Sequence, residues 1–180
     1  MKAAAVIGAT LLCLCVQNVH STDADKTDFN EAISLDLVAR YNEEQIQEQR
    51  QIDLAVAPIT SKAELAEHLH STPRGASPLD VLSPGAKRRF LASLRFGEHG
   101  LASYAYDDLE AECTSAQIYR ILSLFGVQSG TYLLDGARRS EASDGAFGKL
   151  ILRSPDNKDA ACNGQHTCYH SPTDICTSNC

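Results

Sequence analysis

The sequence lacks the short motifs by which many catalytic and ligand-binding sites are recognised. It contains no G-x-S-x-G nucleophile elbow, no H-E-x-x-H zinc helix and no phosphate-cradling P-loop. It also has no Asn-x-Ser/Thr acceptor, so no N-glycan is expected. Because no motif assigns the chain to a class of enzyme, its function has to be inferred from its composition, its apolar pattern and its cysteines.

Long apolar runs are also scarce. A charge-free apolar run spans residues 3–16, directly after Lys2. It is shorter than the roughly 20 residues that a transmembrane helix needs, and Val19 and Ser21 follow at the −3 and −1 positions of a cleavage site. This pattern predicts a signal peptide over residues 1–21 and a mature chain that begins at Thr22. It indicates a secreted or periplasmic protein with no stable membrane insertion after signal cleavage.

Two cysteines inside that apolar run suggest a lipoprotein as an alternative. A small residue should precede a lipidated cysteine. Leu12 and Leu14 stand before Cys13 and Cys15 instead. The sequence therefore favours a cleavable signal over a lipid anchor.

The chain is short of positive charge. It has 16 Lys and Arg against 23 Asp and Glu, which gives a net charge of −7. Between residues 22 and 82, twelve acidic residues stand against five basic ones. Such a surface repels phosphate backbones, so nucleic acid is not expected as a partner. It also argues against a peptide that acts on anionic membranes.

Apolar spacing predicts the first helix. From Phe29 onward, Ile33, Leu37 and Tyr41 recur at intervals of four residues, which places them on one helical face. The polar run after Tyr41 continues this helix as a mostly solvated surface. Its apolar content is too low for a sustained heptad, so the sequence does not predict a coiled coil.

Capping signals predict two more helices. Ser61 and Glu64 have the spacing of a capping box at the start of a second helix. Pro73 ends this helix, because proline cannot continue a helical interior. A third helix is predicted from Ser83-Pro84, since proline is favoured at the first helical position.

The clearest local signal is a fourth helix after Thr114. Thr114 and Gln117 form a second capping box, and Gly126 stands where a left-handed C-cap is needed. Four apolar residues recur at helical spacing between these signals: Ile118, Ile121, Leu122 and Phe125. We expect the residues in mid-helix, Ile121 and Leu122, to lie in the core.

The predicted fold is mainly α within the α+β class. About four helices surround one core, and short strands are expected at residues 100–106, 132–134 and 149–152. Residues 22–155 form a mainly helical globular domain in this prediction. Residues 156–180 form a cysteine-rich, disulfide-bonded C-terminal extension.

Four of the seven cysteines lie close to the end of the sequence: Cys162, Cys168, Cys176 and Cys180. In an exported chain this spacing indicates a disulfide framework with three possible pairings. Zinc is the alternative, because His166 and His170 interleave with these cysteines. However, there is no C-x2-C knuckle, and thiolates outside the cytosol tend to oxidise. The sequence therefore predicts intramolecular disulfides, no metal and no other cofactor.

Cys113 is the one cysteine outside both the N-terminal apolar run and the C-terminal cluster. It precedes a predicted helix N-terminus, where the helix dipole lowers the pKa of a thiol. Glu110 and Glu112 lie close in sequence and favour the neutral thiol instead. We expect a buried structural cysteine or one paired with a C-terminal cysteine. In the second case one C-terminal cysteine is left for a partner molecule.

Candidate acid–base residues are few. His99 and the pair Asp107 and Asp108 are the candidates for a hydrolase with dispersed catalytic residues. Paired carboxylates serve in glycoside hydrolysis, and the same acidic run, with Glu110 and Glu112, suggests calcium. The D-x-[DN]-x-[DN]-G loop of calcium sites is missing, and acidic residues before a helix are commonly exposed. The sequence therefore assigns no catalytic residue.

The sequence predicts a non-enzymatic secreted or periplasmic protein that acts by protein–protein contact, as an inhibitor, immunity or adaptor factor. A small secreted hydrolase is the first alternative. The second is a precursor that releases a cysteine-rich peptide, residues 140–180, by cleavage after Arg139. The expected partner is a protein, and the sequence leaves the oligomeric state open.

Overall fold

The computed structural model describes residues 24–134, 156–164 and 166–180, with side chains from residue 40 onward. The predicted signal peptide, the predicted strand at residues 149–152 and the processing site at Arg139 lie outside the described residues. Contacts divide the chain between Val38 and Ala39. Apart from the bounds of the first helix, the description that follows concerns the unit Ala39–Cys180.

Five α-helices and two short 3₁₀ helices occur in the described part of the chain. The α-helices are α1 (Ala24–Val56), α2 (Lys62–Ser71), α3 (Pro84–Ser93), α4 (Asp107–Glu112) and α5 (Ser115–Ser123). The 3₁₀ helices are Pro78–Val81 and Gln128–Leu133. The four predicted helices are confirmed as α1, α2, α3 and α5. The strand predicted at residues 132–134 is wrong, because these residues belong to or directly follow the second 3₁₀ helix.

The helix starts follow the capping signals. Gln117 and Thr114 exchange both bonds of a capping box, at 2.8 and 3.3 Å. At α2 the box is only half formed. The Ser61 hydroxyl accepts from the Glu64 N–H at 3.2 Å, whereas the Glu64 carboxylate accepts from the N–H of Thr60 at 2.7 Å.

Four strands form one antiparallel sheet in the order β1-β2-β4-β3. They are β1 (Arg95–Gly97), β2 (Gly100–Ala105), β3 (Asn157–Gly164) and β4 (Thr167–Cys176). The strand predicted at residues 100–106 is confirmed as β2. The predicted C-terminal extension is corrected in one respect, because β4 pairs with β2 and the segment supplies half of the sheet.

One hydrophobic core joins this sheet to the helices. Phe90 of α3 meets Tyr104 of β2 and Phe125 at ring-centroid distances of 6.3 Å in edge-to-face orientation. The largest fully buried apolar side chains also include Ile59, Leu79, Leu101, Leu109, Ile118, Ile121, Leu122 and Ile175. The core therefore draws on α5, both hairpins and the segments between them.

Truncation of Ile121 or Leu122 to alanine is expected to lower the free energy of unfolding by about 2–4 kcal/mol. Both side chains are fully buried in α5, so each truncation loses burial and leaves a cavity. Urea denaturation measures the effect. Arg120→Ala on the exposed face of the same helix is the control and should change stability by less than about 0.5 kcal/mol. Equal effects at buried and exposed positions would contradict the assigned core face.

Candidate functional site

The candidate site is the hairpin formed by β3 and β4, which bends sharply in its middle. The inner half pairs Asn157 with Cys176, and the outer half runs from the pair Ala160–His170 to the tip. Between these halves β3 has one residue, Asp159, whereas β4 has the four residues 171–174. The extra residues on one strand form a bulge, and such bulges bend a strand pair. Asp159 adopts a left-handed backbone with φ of 58° at this point.

Two disulfides hold the bent hairpin. They join Cys162 to Cys180 and Cys168 to Cys176. Along a straight strand, the eight steps from Cys168 to Cys176 would separate their α-carbons by about 26 Å. The observed distance is 6.1 Å, so the outer half folds back toward the end of β4. The structure thus contains the disulfide framework that the cysteine spacing indicated, and it selects one pairing of three.

Tyr106 stabilises the bend of the hairpin through its hydroxyl group. Its hydroxyl donates to the Asp159 carboxylate, and the carbonyl oxygen of Pro172 lies 3.0 Å away. Burial, and then the Asp159 carboxylate, raise the pKa of Tyr106 well above its usual range. The hydroxyl therefore keeps the proton that it donates. The Lys158 ammonium lies 5.0 Å above the same ring and 3.3 Å from Glu110.

The chain beyond β4 anchors the hairpin in the core. The Thr177 hydroxyl donates to the carbonyl of Leu101 at 2.6 Å, and the Arg50 guanidinium donates to Asn179 at 2.6 Å. Asp156 accepts from the N–H of Ser178 at 2.9 Å. Thr177 and Asn179 are both buried, and the bond from Thr177 to Leu101 is shielded from water. The end of the hairpin is thus fixed, and most of its outer half is exposed.

The outer half is exposed and almost uncharged. Among its described residues, Ala161 alone is buried. Asn163, His166, Thr167, Tyr169 and His170 are all exposed, and residues 160–170 contain no Asp, Glu, Lys or Arg. Tyr169 is 47% exposed. An acidic protein therefore presents one covalently fixed, charge-poor surface, which we name the hairpin surface (residues 160–164 and 166–170).

The structure separates the candidate acid–base residues. His99 lies in the turn before β2, whereas Asp107 and Asp108 begin α4 after it, so the length of β2, about 17 Å for five steps, lies between them. His99 lines a cavity of about 410 Å³ with Glu98 and His166. The His99 and His166 ring centroids are 6.4 Å apart. Neither aspartate lines this cavity, so the structure does not assemble the three residues into one site.

Most of the acidic run in α4 is engaged in structural bonds. Asp108 binds the Arg89 guanidinium at 2.5 Å, and Glu112 accepts from the N–H and hydroxyl of Ser83 at 2.7 Å. These Ser83 bonds lower the pKa of Glu112. Burial and the neighbouring Asp108 raise the pKa of Asp107. The run stabilises α3 and α4 and forms no calcium loop.

Cys113 is fully buried in the hydrophobic core at the end of α4. Its N–H donates to the carbonyl of Leu109 at 3.0 Å and closes that helix. The two disulfides use the four C-terminal cysteines among themselves. Burial of this kind fits a structural role for the Cys113 side chain.

Comparison with known proteins finds no matching family model, no matching curated protein and no matching solved structure. None of the helices in the described residues is both long and apolar enough to cross a bilayer. The functional argument therefore depends on the geometry of the hairpin.

Replacement of Tyr106 by phenylalanine is expected to loosen the hairpin bend. The change removes the hydroxyl that binds Asp159 and should lower the free energy of unfolding by about 1 kcal/mol. It should also speed hydrogen exchange of the outer-half amides. Tyr41→Phe is the control, because Tyr41 is 62% exposed on α1. Unchanged exchange in the outer half of the Tyr106 variant would show that the hydroxyl does not hold the bend.

Proposed function

We propose that this chain is a secreted or periplasmic, non-enzymatic protein that binds another protein through the hairpin surface. The observation that carries the proposal is the fixing of an exposed hairpin half by two disulfides. Each such bond contributes about 2–3 kcal/mol, chiefly by restricting the unfolded chain. The fixed residues contribute almost nothing to the core. Their rigidity therefore serves a surface that has to be presented in one shape.

Pre-organisation gives this rigidity a physical use. A flexible loop that becomes ordered on association loses about 0.5–1.5 kcal/mol per immobilised side chain. The disulfides and the Tyr106 bonds order the outer half before any partner arrives. Binding through this surface therefore avoids much of that cost, as expected of an inhibitor, immunity or adaptor factor.

The composition of the hairpin surface also suits protein contact. Protein interfaces are depleted in charge at their centre and enriched in tyrosine. The surface has no formal charge apart from its histidines, and Tyr169 is its one large exposed aromatic side chain. Tyrosine loses little conformational entropy on binding, so Tyr169 is the expected anchor.

The contact we propose uses side chains rather than strand addition. β3 is an edge strand, and exposed edges can pair with a strand of another protein. Here the register shifts twice along β3 and Asp159 is left-handed, so the edge offers no continuous row of backbone groups. Lys158 adds a charge that disfavours pairing.

Site-specific crosslinking tests the proposal. A photoreactive phenylalanine analogue replaces Tyr169 in the exported protein, and the same analogue replaces Val81, which is 45% exposed on the first 3₁₀ helix. Irradiation in the native surroundings should join position 169, and not position 81, to one defined protein. The proposal fails if position 169 gives no adduct, or if both positions give the same adducts.

The proposed export leads to a separate prediction about the N-terminus of the mature chain. The apolar run at residues 3–16 and the Val19 and Ser21 pair predict that the mature chain begins at Thr22. N-terminal sequencing of the exported protein measures this. Retention of Met1, or a lipid on Cys13 or Cys15, would contradict the prediction.

A further inference from the structure

The two disulfides of the hairpin lie close to each other. The sulfur atoms of Cys162, Cys176 and Cys180 all lie within 4.8 Å of one another. Cys176 is bonded to Cys168, whereas the other two are bonded to each other. A sulfur of one disulfide therefore stands beside both sulfurs of the other, which is the arrangement that exchange between disulfides requires.

The strand register supports a second pairing of the same cysteines. Cys162 and Cys168 are directly opposite each other on β3 and β4. Opposed residues of antiparallel strands have α-carbons about 4.5–5.5 Å apart, a separation that a disulfide spans. The turn in which the Cys180 N–H donates to the Thr177 carbonyl at 3.0 Å brings Cys180 back toward Cys176. A pairing of Cys162 with Cys168 and Cys176 with Cys180 therefore needs little backbone movement.

Solvent access differs between the sulfurs of the second disulfide. Cys168 is exposed, whereas Cys176 is fully buried. A thiolate from solution can reach the Cys168 sulfur and not the Cys176 sulfur. We propose that Cys168 is the entry site for thiol–disulfide exchange with a small external thiolate, and that this exchange converts the hairpin from the observed pairing to the second pairing.

The exchange balances without net oxidation or reduction. The external thiolate bonds to the Cys168 sulfur and expels the Cys176 thiolate. The Cys176 thiolate then attacks the Cys180 sulfur, so the Cys176–Cys180 bond forms and the Cys162 thiolate leaves. Finally the Cys162 thiolate attacks the mixed disulfide on Cys168. The Cys162–Cys168 bond forms, and the external thiolate is released unchanged.

The second pairing changes how the hairpin surface is held. In the observed pairing both disulfides tie the outer half to residues 176–180. In the second pairing each disulfide closes within its own segment, so no disulfide joins the outer half to the anchored chain end. This inference goes beyond the proposed function, and its chemistry is independent of any partner.

Single cysteine variants test the internal exchange steps. In a Cys113→Ala background, Cys168→Ser leaves a Cys176 thiol beside the Cys162–Cys180 bond, and Cys176→Ser leaves a Cys168 thiol opposite Cys162. After alkylation of free thiols, an acid protease cleaves at Tyr169 under conditions that suppress exchange. In the starting pairing the Cys162–Cys180 bond keeps the two fragments linked. Exchange separates the fragments, and it leaves Cys162 alkylated in Cys168→Ser and Cys180 alkylated in Cys176→Ser. We expect separated fragments in more than about one tenth of the molecules of each variant.

A second experiment, on the wild-type chain, tests Cys168 as the entry site. Brief treatment with reduced glutathione, followed by acid quench and the same digestion, should place the first glutathione adduct on Cys168. Longer treatment should release the two fragments from each other without reduction. An adduct first on Cys162 or Cys180 would overturn the proposal. So would fragments that stay fully linked, in the glutathione arm or in both cysteine variants.

Discussion

Tyr169→Ala is expected to weaken binding of the partner by about 30-fold, the effect of losing a residue worth about 2 kcal/mol at the centre of an interface. Tyr169 is the large aromatic side chain of a surface that two disulfides hold in place. Its loss removes the anchor without disturbing the core. A binding titration with the crosslinked partner measures the change.

Three variants serve as controls for this titration. Tyr41→Ala removes an aromatic side chain that is 62% exposed on α1, away from the hairpin in sequence. His99→Ala and Asp107→Asn change the candidate acid–base residues of the hydrolase alternative. All three should bind within about twofold of the unchanged protein, because residues outside an interface centre seldom carry binding energy. Wild-type affinity in Tyr169→Ala, or a turnover activity abolished by His99→Ala, would contradict the proposal.

Gly126→Ala is expected to be strongly destabilising, with a loss of about 2–5 kcal/mol in the free energy of unfolding. Gly126 has φ of +69°, which disfavours any side chain. A β-carbon there would also lie 2.9 Å from the α-carbon of Leu54 and 3.0 Å from the carbonyl oxygen of Asp53. Because both contacts are backbone atoms, the end of α1 has to move.

Gly75→Ala separates the two causes of this loss. Gly75 has φ of +80°, but a β-carbon there would meet no atom within 4 Å. Its replacement should therefore cost only the left-handed strain of about 1–2 kcal/mol. Urea denaturation compares the two variants. Equal losses would show that α1 does not pack against Gly126 as the structure places it.

Local signals in the sequence predict much of the helical part of the fold. Ser61, Ser83 and Thr114 each accept a bond from the first turn of the helix that they precede, because a side-chain oxygen there satisfies a free N–H. The apolar spacing also places Ile121 and Leu122 in the core. The sequence does not predict helix α4, because acidic residues before a helix are commonly exposed, although acids also suit the first turn of a helix.

The sheet is less predictable because its strands pair over long distances in sequence. β4 lies beside β2, about seventy residues earlier, with Tyr104 opposite Ile175. The segment that forms β3 and β4 shows no apolar alternation, since most side chains of its outer half are exposed. The segment is rich in cysteines and histidines and contains Pro172, so its local pattern alone indicates a loop.

The candidate site shows the same division between local and long-range information. The four clustered cysteines predict disulfides, because oxidation follows from their number and the expected export. Their pairing depends on the bend at Asp159, which brings Cys168 back to Cys176. The anchoring bond from Arg50 to Asn179 joins residues 129 apart in sequence, so no local pattern reveals it.

Hydrogen–deuterium exchange of the protein alone and in complex with its partner tests the central claim most directly. If the hairpin surface is the binding site, the complex should show slower exchange in residues 160–170. Exchange around His99 and Asp107, at the two ends of β2, should stay unchanged apart from amides next to His166, which shares the cavity with His99. Protection confined to the cavity walls of β1 and β2, with residues 160–170 exchanging as in the free protein, would contradict the claim.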